Sequence, residues 1–440
     1  EIPSLNFSNH ALAFRHKTTH ELLRGLIVLQ TCSIDAIVNR SYKMLKVGER
    51  LLGERLLGVV TAPFYNQFVG RDSEQEMAVT YHAMAELGIG LMIAPMVESD
   101  VGEGENLHEL FLKNFRKTLS LVSIVSRNDG LSSIPGICQT KFTEHLSAEV
   151  LMRLHEAYER LSFDERAQVV ESVASAFAIK DITDCEPNFG PLQLDPRDMK
   201  EFAESLPRLY TIGRACVDEN IVLAVDAEYT YIKTAINFIS LAMMKVFNTD
   251  KTVVWNTYQG YLKNTKDILQ HDLGIASELG FKFGAKIVRG AYLEMERERA
   301  LTCGYPDPVN DTYQDTNNNY NSIIEMMLKE VKGNPNGRTV IVASHNEESV
   351  KKAAHHIHKL GLDPLRGNVV FGQVYGMAEN ISVPLAKSGY LVFKSVPSGS
   401  VLECLPYLSR RANENRAVFK GARRERQLLA QELRSRLAIV

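Results

Sequence analysis

The chain has 440 residues, 45% of them hydrophobic, enough to bury a large core as one α/β barrel or as two to three smaller domains. Its 50 basic and 53 acidic residues give a formal charge of -3, which excludes the basic surplus that draws proteins to nucleic acid. Six cysteines (Cys32, Cys138, Cys185, Cys216, Cys303, Cys404) show neither C-x-x-C nor finger spacing, which excludes a disulfide scaffold and points to a reducing compartment.

Residue 1 is Glu rather than Met, so a trimmed N-terminus is expected, and any targeting segment would precede it. No run reaches the ~18 uninterrupted apolar residues of an ordinary membrane-crossing helix. Residues 1–80 read as a helical arm in which Gly48, Gly53 and Gly58 mark either a helix-turn feature or a local repeat. Eight β-rich runs follow, at 89–96 (IGLMIAPM), 137–142 (ICQTKF), 221–228 (IVLAVDAE), 252–259 (TVVWNTYQ), 282–289 (KFGAKIVR), 338–345 (RTVIVASH), 368–375 (NVVFGQVY) and 390–396 (YLVFKSV).

Segments with helical three- and four-residue spacing, such as 312–331 and 347–360, separate most of them. Alternating strands and helices imply parallel strands joined by crossovers, and eight units fit a (β/α)8 TIM barrel spanning 81–440. An open doubly wound sheet is the competitor, but Gly88-Ile-Gly90 has Ile93 where a dinucleotide fingerprint needs its third glycine. Residues 145–215 exceed a crossover and read as a helical insertion, irregular around 181–196. Residues 421–437 read as an amphipathic helix with a mixed-charge face, either packed on the barrel or contacting a membrane or partner.

Barrel chemistry lies at the C-terminal strand ends. Polar residues recur there: Lys141, Asp226, Glu228, Gln259, Lys286, Arg289, Ser344, His345, Gln373, Tyr375 and Ser395. Asp226 could contact a ligand or pair with Lys141 across the mouth. Lys286 and Arg289 beside Gly290 suit an anionic cofactor, or else form an ordinary turn with two surface cations. His355, His356 and His358 cluster without a carboxylate or cysteine to complete a metal set. After 398–400 a helix should begin, carrying Arg410 and Arg411. Two guanidiniums can grip one carboxylate, while Arg410 and Glu414 could equally form a solvent ion pair. An aldolase-like lyase using Lys141 or Lys286 as a Schiff-base nucleophile is a competing enzyme class, and a barrel that has lost catalysis is a non-enzymatic one.

The string YLSRRANEN at 407–415 resembles the terminal helix of the proline dehydrogenase family. VDAE (225–228), NTYQGYL (256–262), GAKIVRGAY (284–292), ASHN (343–346) and GQVYGM (372–377) follow the family's order, and the likeness spans about residues 60–430. It implies a distorted (β/α)8 barrel that binds FAD, oxidises an imino acid and passes electrons to a quinone. It also implies a mitochondrial location on the matrix side and peripheral contact with the inner membrane. Carried over residue by residue, it assigns Arg410 and Arg411 to the substrate carboxylate, with Lys141, Asp226 and Tyr292 bordering the substrate. Flavin contacts would be Gln259, Lys286, Val288, Arg289, Gly290, Thr316, Ser344, His345 and Glu414.

Some positions depart from the family pattern. Lys286 stands where bacterial members have arginine, Ser344 where they have threonine, and 142–145 (FTEH) replaces an apolar run. Fifteen residues before Arg410, Ser395 stands where members that oxidise proline carry tyrosine. Serine leaves room beside the ring's 4-position and adds a hydroxyl, resembling the hydroxyproline-oxidising branch. The expected reaction is therefore FAD-dependent oxidation of trans-4-hydroxy-L-proline to 1-pyrroline-3-hydroxy-5-carboxylate, with L-proline oxidation to 1-pyrroline-5-carboxylate as the alternative.

Overall fold

Val, Ile and Phe dominate the eight runs because strands of a parallel barrel are covered on both faces. In a computed structural model describing residues 5–95, 106–127, 136–177, 188–414 and 422–438, each run forms a strand. They are β1 (Ile89–Pro95), β2 (Ile137–Thr140), β3 (Val222–Val225), β4 (Val254–Gln259), β5 (Phe283–Val288), β6 (Arg338–Ala343), β7 (Val369–Val374) and β8 (Val392–Ser398). All pairings are parallel and consecutive, and β8 closes on β1 from Ile89 opposite Val392 to Pro95 opposite Ser398. The expected TIM barrel is therefore the observed one.

Side chains alternate across a strand, so every second residue points inward. Met92, Ile137, Val222, Ala224, Trp255, Ile341, Val370 and Phe393 form a buried cluster filling the interior. β5 supplies Gly284 instead of a side chain, and a Cβ there would lie 2.0 Å from the Trp255 ring. One step further along each strand, the same alternation turns Gln139, Asp226, Lys286 and Ser395 toward the mouth.

The segment between β2 and β3 folds as helices Ala148–Glu159, Phe163–Ala176 and Pro196–Asp218, the first two being additional to a barrel crossover. Residues 178–187, which include Cys185 and part of the stretch read as irregular, lie outside the described residues. The additional helices cover Thr230–Phe247, in which every residue from Thr234 to Met244 is buried, the polar Asn237 and Ser240 included.

The arm is helical, as its sequence implied. Its Ser41–Phe68 helix is broken at Gly53, whose φ of 69° and ψ of 166° suit glycine alone, so this glycine marks a kink. The arm packs on the Arg423–Leu437 helix through Phe14, Leu22, Val28, Leu428 and Leu429, with Phe68 and Met377 in the same cluster. His10 Nδ1 lies 2.8 Å from Glu432, and Arg436 donates to the Lys17 carbonyl at 2.7 Å. Among the described residues, no helix is long and apolar enough to cross a membrane, and no group of three His, Cys, Asp or Glu could hold a metal.

Candidate active site

The strand ends and the arm enclose a cavity of about 1160 Å³. That exceeds the ~300–1,000 Å³ that holds one drug-sized ligand, leaving room for a cofactor and a small substrate together. Of the residues expected to border substrate, Lys141, Asp226, Tyr292, Ser395 and Arg411 line it. So do Gln259, Lys286, Val288, Arg289 and Gly290 among those expected to hold a flavin, and Thr316, Ser344 and His345 join them. Arg410 is half-buried and not among the lining residues, and the Glu414 side chain lies outside the described residues.

Ser400 begins the helix carrying the arginines. Its hydroxyl accepts from the Glu403 N–H at 3.4 Å while the Glu403 carboxylate accepts from the Ser400 N–H at 2.7 Å, a reciprocal cap. Neighbours on a helix diverge by about 100°, so one guanidinium of the pair faces the cavity and the other does not. Arg411 lies 5.8 Å from the Tyr292 ring centre and 5.3 Å from that of Tyr407.

Lys141 and Asp226 do not pair with one another. The carboxylate of Asp226 is bound by Lys286. Both inward-pointing residues sit one layer above the barrel floor, whereas Lys141 follows the end of β2. Behind Lys141, Thr143 donates to Glu228 through its hydroxyl at 2.8 Å and its backbone N–H at 3.4 Å, anchoring the turn Phe142–Glu144. Burial opposes the charge of Lys141, but Tyr292 and Glu228 prevail and hold its ammonium above the ordinary lysine range. A Schiff-base nucleophile needs a depressed amine pKa, so Lys141 is poorly suited to that role.

Arg289 donates to Asn317 Oδ1 at 2.6 Å, Ser349 Oγ at 2.7 Å and Ser344 Oγ at 3.3 Å, and stacks 4.9 Å from the Tyr320 ring centre. All these partners are neutral. Burial lowers the guanidinium's pKa, so a partly desolvated cation faces the cavity with no carboxylate among those partners. This donor set fits an anionic cofactor. Gly290 has φ 128°, and its missing side chain is required by Tyr261, whose ring a Cβ would meet at 1.6 Å. The turn glycine thus serves packing against Tyr261 as well as forming part of the cavity wall.

Burial, then the Lys394 cation, pushes His345 down to about 3, so its ring is neutral. Its Nε2 accepts from the Val374 N–H at 2.9 Å, which places the proton on Nδ1. Gln373 also lines the cavity, its amide accepting from Ser382 at 2.9 Å and donating to the Ser344 carbonyl at 3.3 Å. The sequence reading missed Gln139, which is buried among these groups and donates to Ser395 Oγ at 2.9 Å. It also missed the apolar wall that the arm contributes through Leu45, Leu52, Val60 and Phe64, although the arm's leucine-rich spacing carried that signal.

A closed barrel with convergent cations and a cofactor-sized cavity defines an enzyme of the (β/α)8 class. A family model described as proline dehydrogenase matches residues 113–424. Hydroxyproline dehydrogenase of Xenopus laevis is 36% identical, the match covering 99% of this chain and 91% of that protein. Proline dehydrogenase 1, mitochondrial, of Homo sapiens is 32% identical, over 99% and 90% respectively. Proline utilization A of Bdellovibrio bacteriovorus, inactivated by N-propargylglycine, superposes with a TM-score of 0.64 at 17% identity, covering 93% of this chain. The chain spans 38% of that longer protein, and the likeness concerns the fold. The chain belongs to the proline dehydrogenase family, oxidoreductases that act on a CH–NH bond.

Proposed function

We propose that the chain oxidises trans-4-hydroxy-L-proline to 1-pyrroline-3-hydroxy-5-carboxylate, with FAD as its cofactor and a quinone as the final electron acceptor. The observation that carries this reading is Ser395, a small hydroxyl-bearing residue on the cavity wall among the groups that would border substrate. Arg411 would bind the carboxylate with Arg410 at its flank, while Lys141 and Tyr292 close the pocket around the ring. Ser395 would meet the 4-hydroxyl.

When bound, FAD supplies the two-electron acceptor for the ring CH–NH bond. Arg289, Lys286 and the neutral His345 would hold its polar groups, together with Gln259, Thr316 and Ser344, against the backbone of Val288 and Gly290. Glu414 is assigned to the same role by family resemblance. The binding energy of these fixed groups serves orientation, which is the protein's main contribution in a cofactor enzyme.

The arm supports the remaining assignments. Leu51 is 79% exposed and Val59 71%, an apolar surface suited to peripheral contact with the mitochondrial inner membrane, next to the apolar cavity wall a quinone would approach. The human relative named mitochondrial supports that compartment, with the matrix side following from the same family resemblance.

The test is the ratio of kcat/KM for trans-4-hydroxy-L-proline over L-proline in the flavin-loaded enzyme. The wild type should favour the hydroxylated substrate and Ser395→Tyr should reverse the preference. A wild type that prefers proline, with Ser395→Tyr leaving the ratio unmoved, would sink the assignment.

A further inference from the structure

The orientation of Gln139 is fixed from both ends. Its Oε1 accepts from the Lys286 ammonium at 3.1 Å, and an ammonium has donors and no acceptor. Its Nε2 donates to the Met92 carbonyl at 3.4 Å, a group that only accepts, and to Ser395 Oγ at 2.9 Å. A flipped amide would set donor against donor at Lys286 and acceptor against acceptor at Met92. Asp226 binds the far side of the same ammonium, completing a chain of polar contacts from Asp226 through Lys286 and Gln139 to Ser395.

Direction runs through this chain. The charge of Lys286 dictates where the Gln139 carbonyl points, the amide then dictates that Ser395 accepts, and the serine keeps one proton of its own. Among the described residues that proton has no acceptor, and Ser395 lines the cavity. A substrate group that donated to Ser395 would leave the proton stranded. A substrate group that accepts would satisfy it.

We propose that Gln139 is a specificity-determining positioning residue: it sets the Ser395 hydroxyl as a donor, so that the site selects ring substituents able to accept a hydrogen bond. This rests on Ser395 facing the ring substituent, the reading given above. It goes further in assigning the polarity of that contact and the residue that imposes it. The 4-hydroxyl is recognised by its lone pairs.

Gln139→Glu tests the polarity with little change of shape, although it sets one carboxylate oxygen against the Met92 carbonyl. A carboxylate accepts from Lys286 at one oxygen and from the Ser395 O–H at the other, turning the serine's proton away from the cavity and leaving only lone pairs there. The probes are 4-oxo-L-proline, whose substituent accepts only, trans-4-hydroxy-L-proline, which also donates, and L-proline, each assayed for kcat/KM with flavin content measured in parallel. In Gln139→Glu the 4-oxo to proline ratio should fall about tenfold, while the hydroxyproline to proline ratio should fall much less. In Gln139→Met both ratios should fall together.

A merely structural role for Gln139 would slow all three substrates equally and leave both ratios unmoved, which overturns the proposal. The wild type supplies a check independent of any variant. It should use 4-oxo-L-proline more efficiently than L-proline, and the opposite order also overturns the proposal. Failure of the substrate reading looks different: the wild type would then show no preference for hydroxyproline over proline.

Discussion

The guanidinium of Arg411 rests 5.8 Å from the ring centre of Tyr292, and the two residues line one cavity from different elements. That distance is within cation–π range, and the planar fork of a guanidinium matches a carboxylate in two-point geometry. Arg411→Met should raise the KM for the imino acid roughly 10- to 100-fold, the worth of a charge-assisted hydrogen bond, with flavin retained. Arg410→Met should have the smaller effect, because Arg410 stands outside the cavity lining. Steady-state kinetics and the visible absorbance of the purified variants measure both, and loss of flavin with unchanged KM in Arg411→Met would refute the carboxylate role.

Arg289 is held by Asn317, Ser344 and Ser349, none of which neutralises it. Arg289→Leu should therefore purify with little flavin, while Arg289→Lys should retain part of it because the charge survives without the fork geometry. Flavin-to-protein ratios from absorbance decide the point. Equal loading of Arg289→Leu and wild type would remove Arg289 from the cofactor site.

His345, on the cavity wall, gives the fold an acid limit. Burial, then the Lys394 cation, lowers it to about 3, against an ordinary value of 6.5. The unfolded chain takes up a proton there as pH drops below 6.5 while the folded chain refuses it, so its stability contribution is complete above 6.5 and drains away toward 3. Thermal denaturation between about pH 7 and about pH 4 should show a falling Tm. His345→Asn, which can still accept from Val374, should flatten that slope.

Gly284 makes room for Trp255, the single tryptophan of the chain. Gly284→Ala forces a methyl to within 2.0 Å of the indole and should cost about 1–3 kcal/mol or more. Denaturant titration followed by tryptophan emission reports both the stability loss and any displacement of the ring. An unchanged midpoint would show that the barrel floor yields more easily than its packing implies.

The eight strands were legible because doubly covered strands are continuous apolar runs, and their predicted ends overshot by a few residues where polar mouth residues such as Lys141 and Arg289 follow the last ladder position. The cavity residues were legible wherever a motif carried them. Gln139 was not, since a lone glutamine inside ICQT has no signature until barrel closure brings Ser395 and Lys286 against it. The partner of Asp226 was hidden for the same reason: only inward alternation on β5 shows that Lys286 reaches it before Lys141. The divergence of adjacent arginines on a helix was legible, but which of the two meets the cavity was not, since that depends on how the helix sits over the barrel mouth.

The clasp between the arm and the Arg423–Leu437 helix, made by His10 with Glu432 and by Arg436 with the Lys17 carbonyl, joins residues more than 400 positions apart. Vectorial synthesis delivers the arm first and its partner long afterwards, so the arm must wait while the strands assemble. The wall that the arm lends the cavity is thus secured only once the last helix has left the ribosome, and the N-terminal end of the chain is among the last parts of the fold to be fixed.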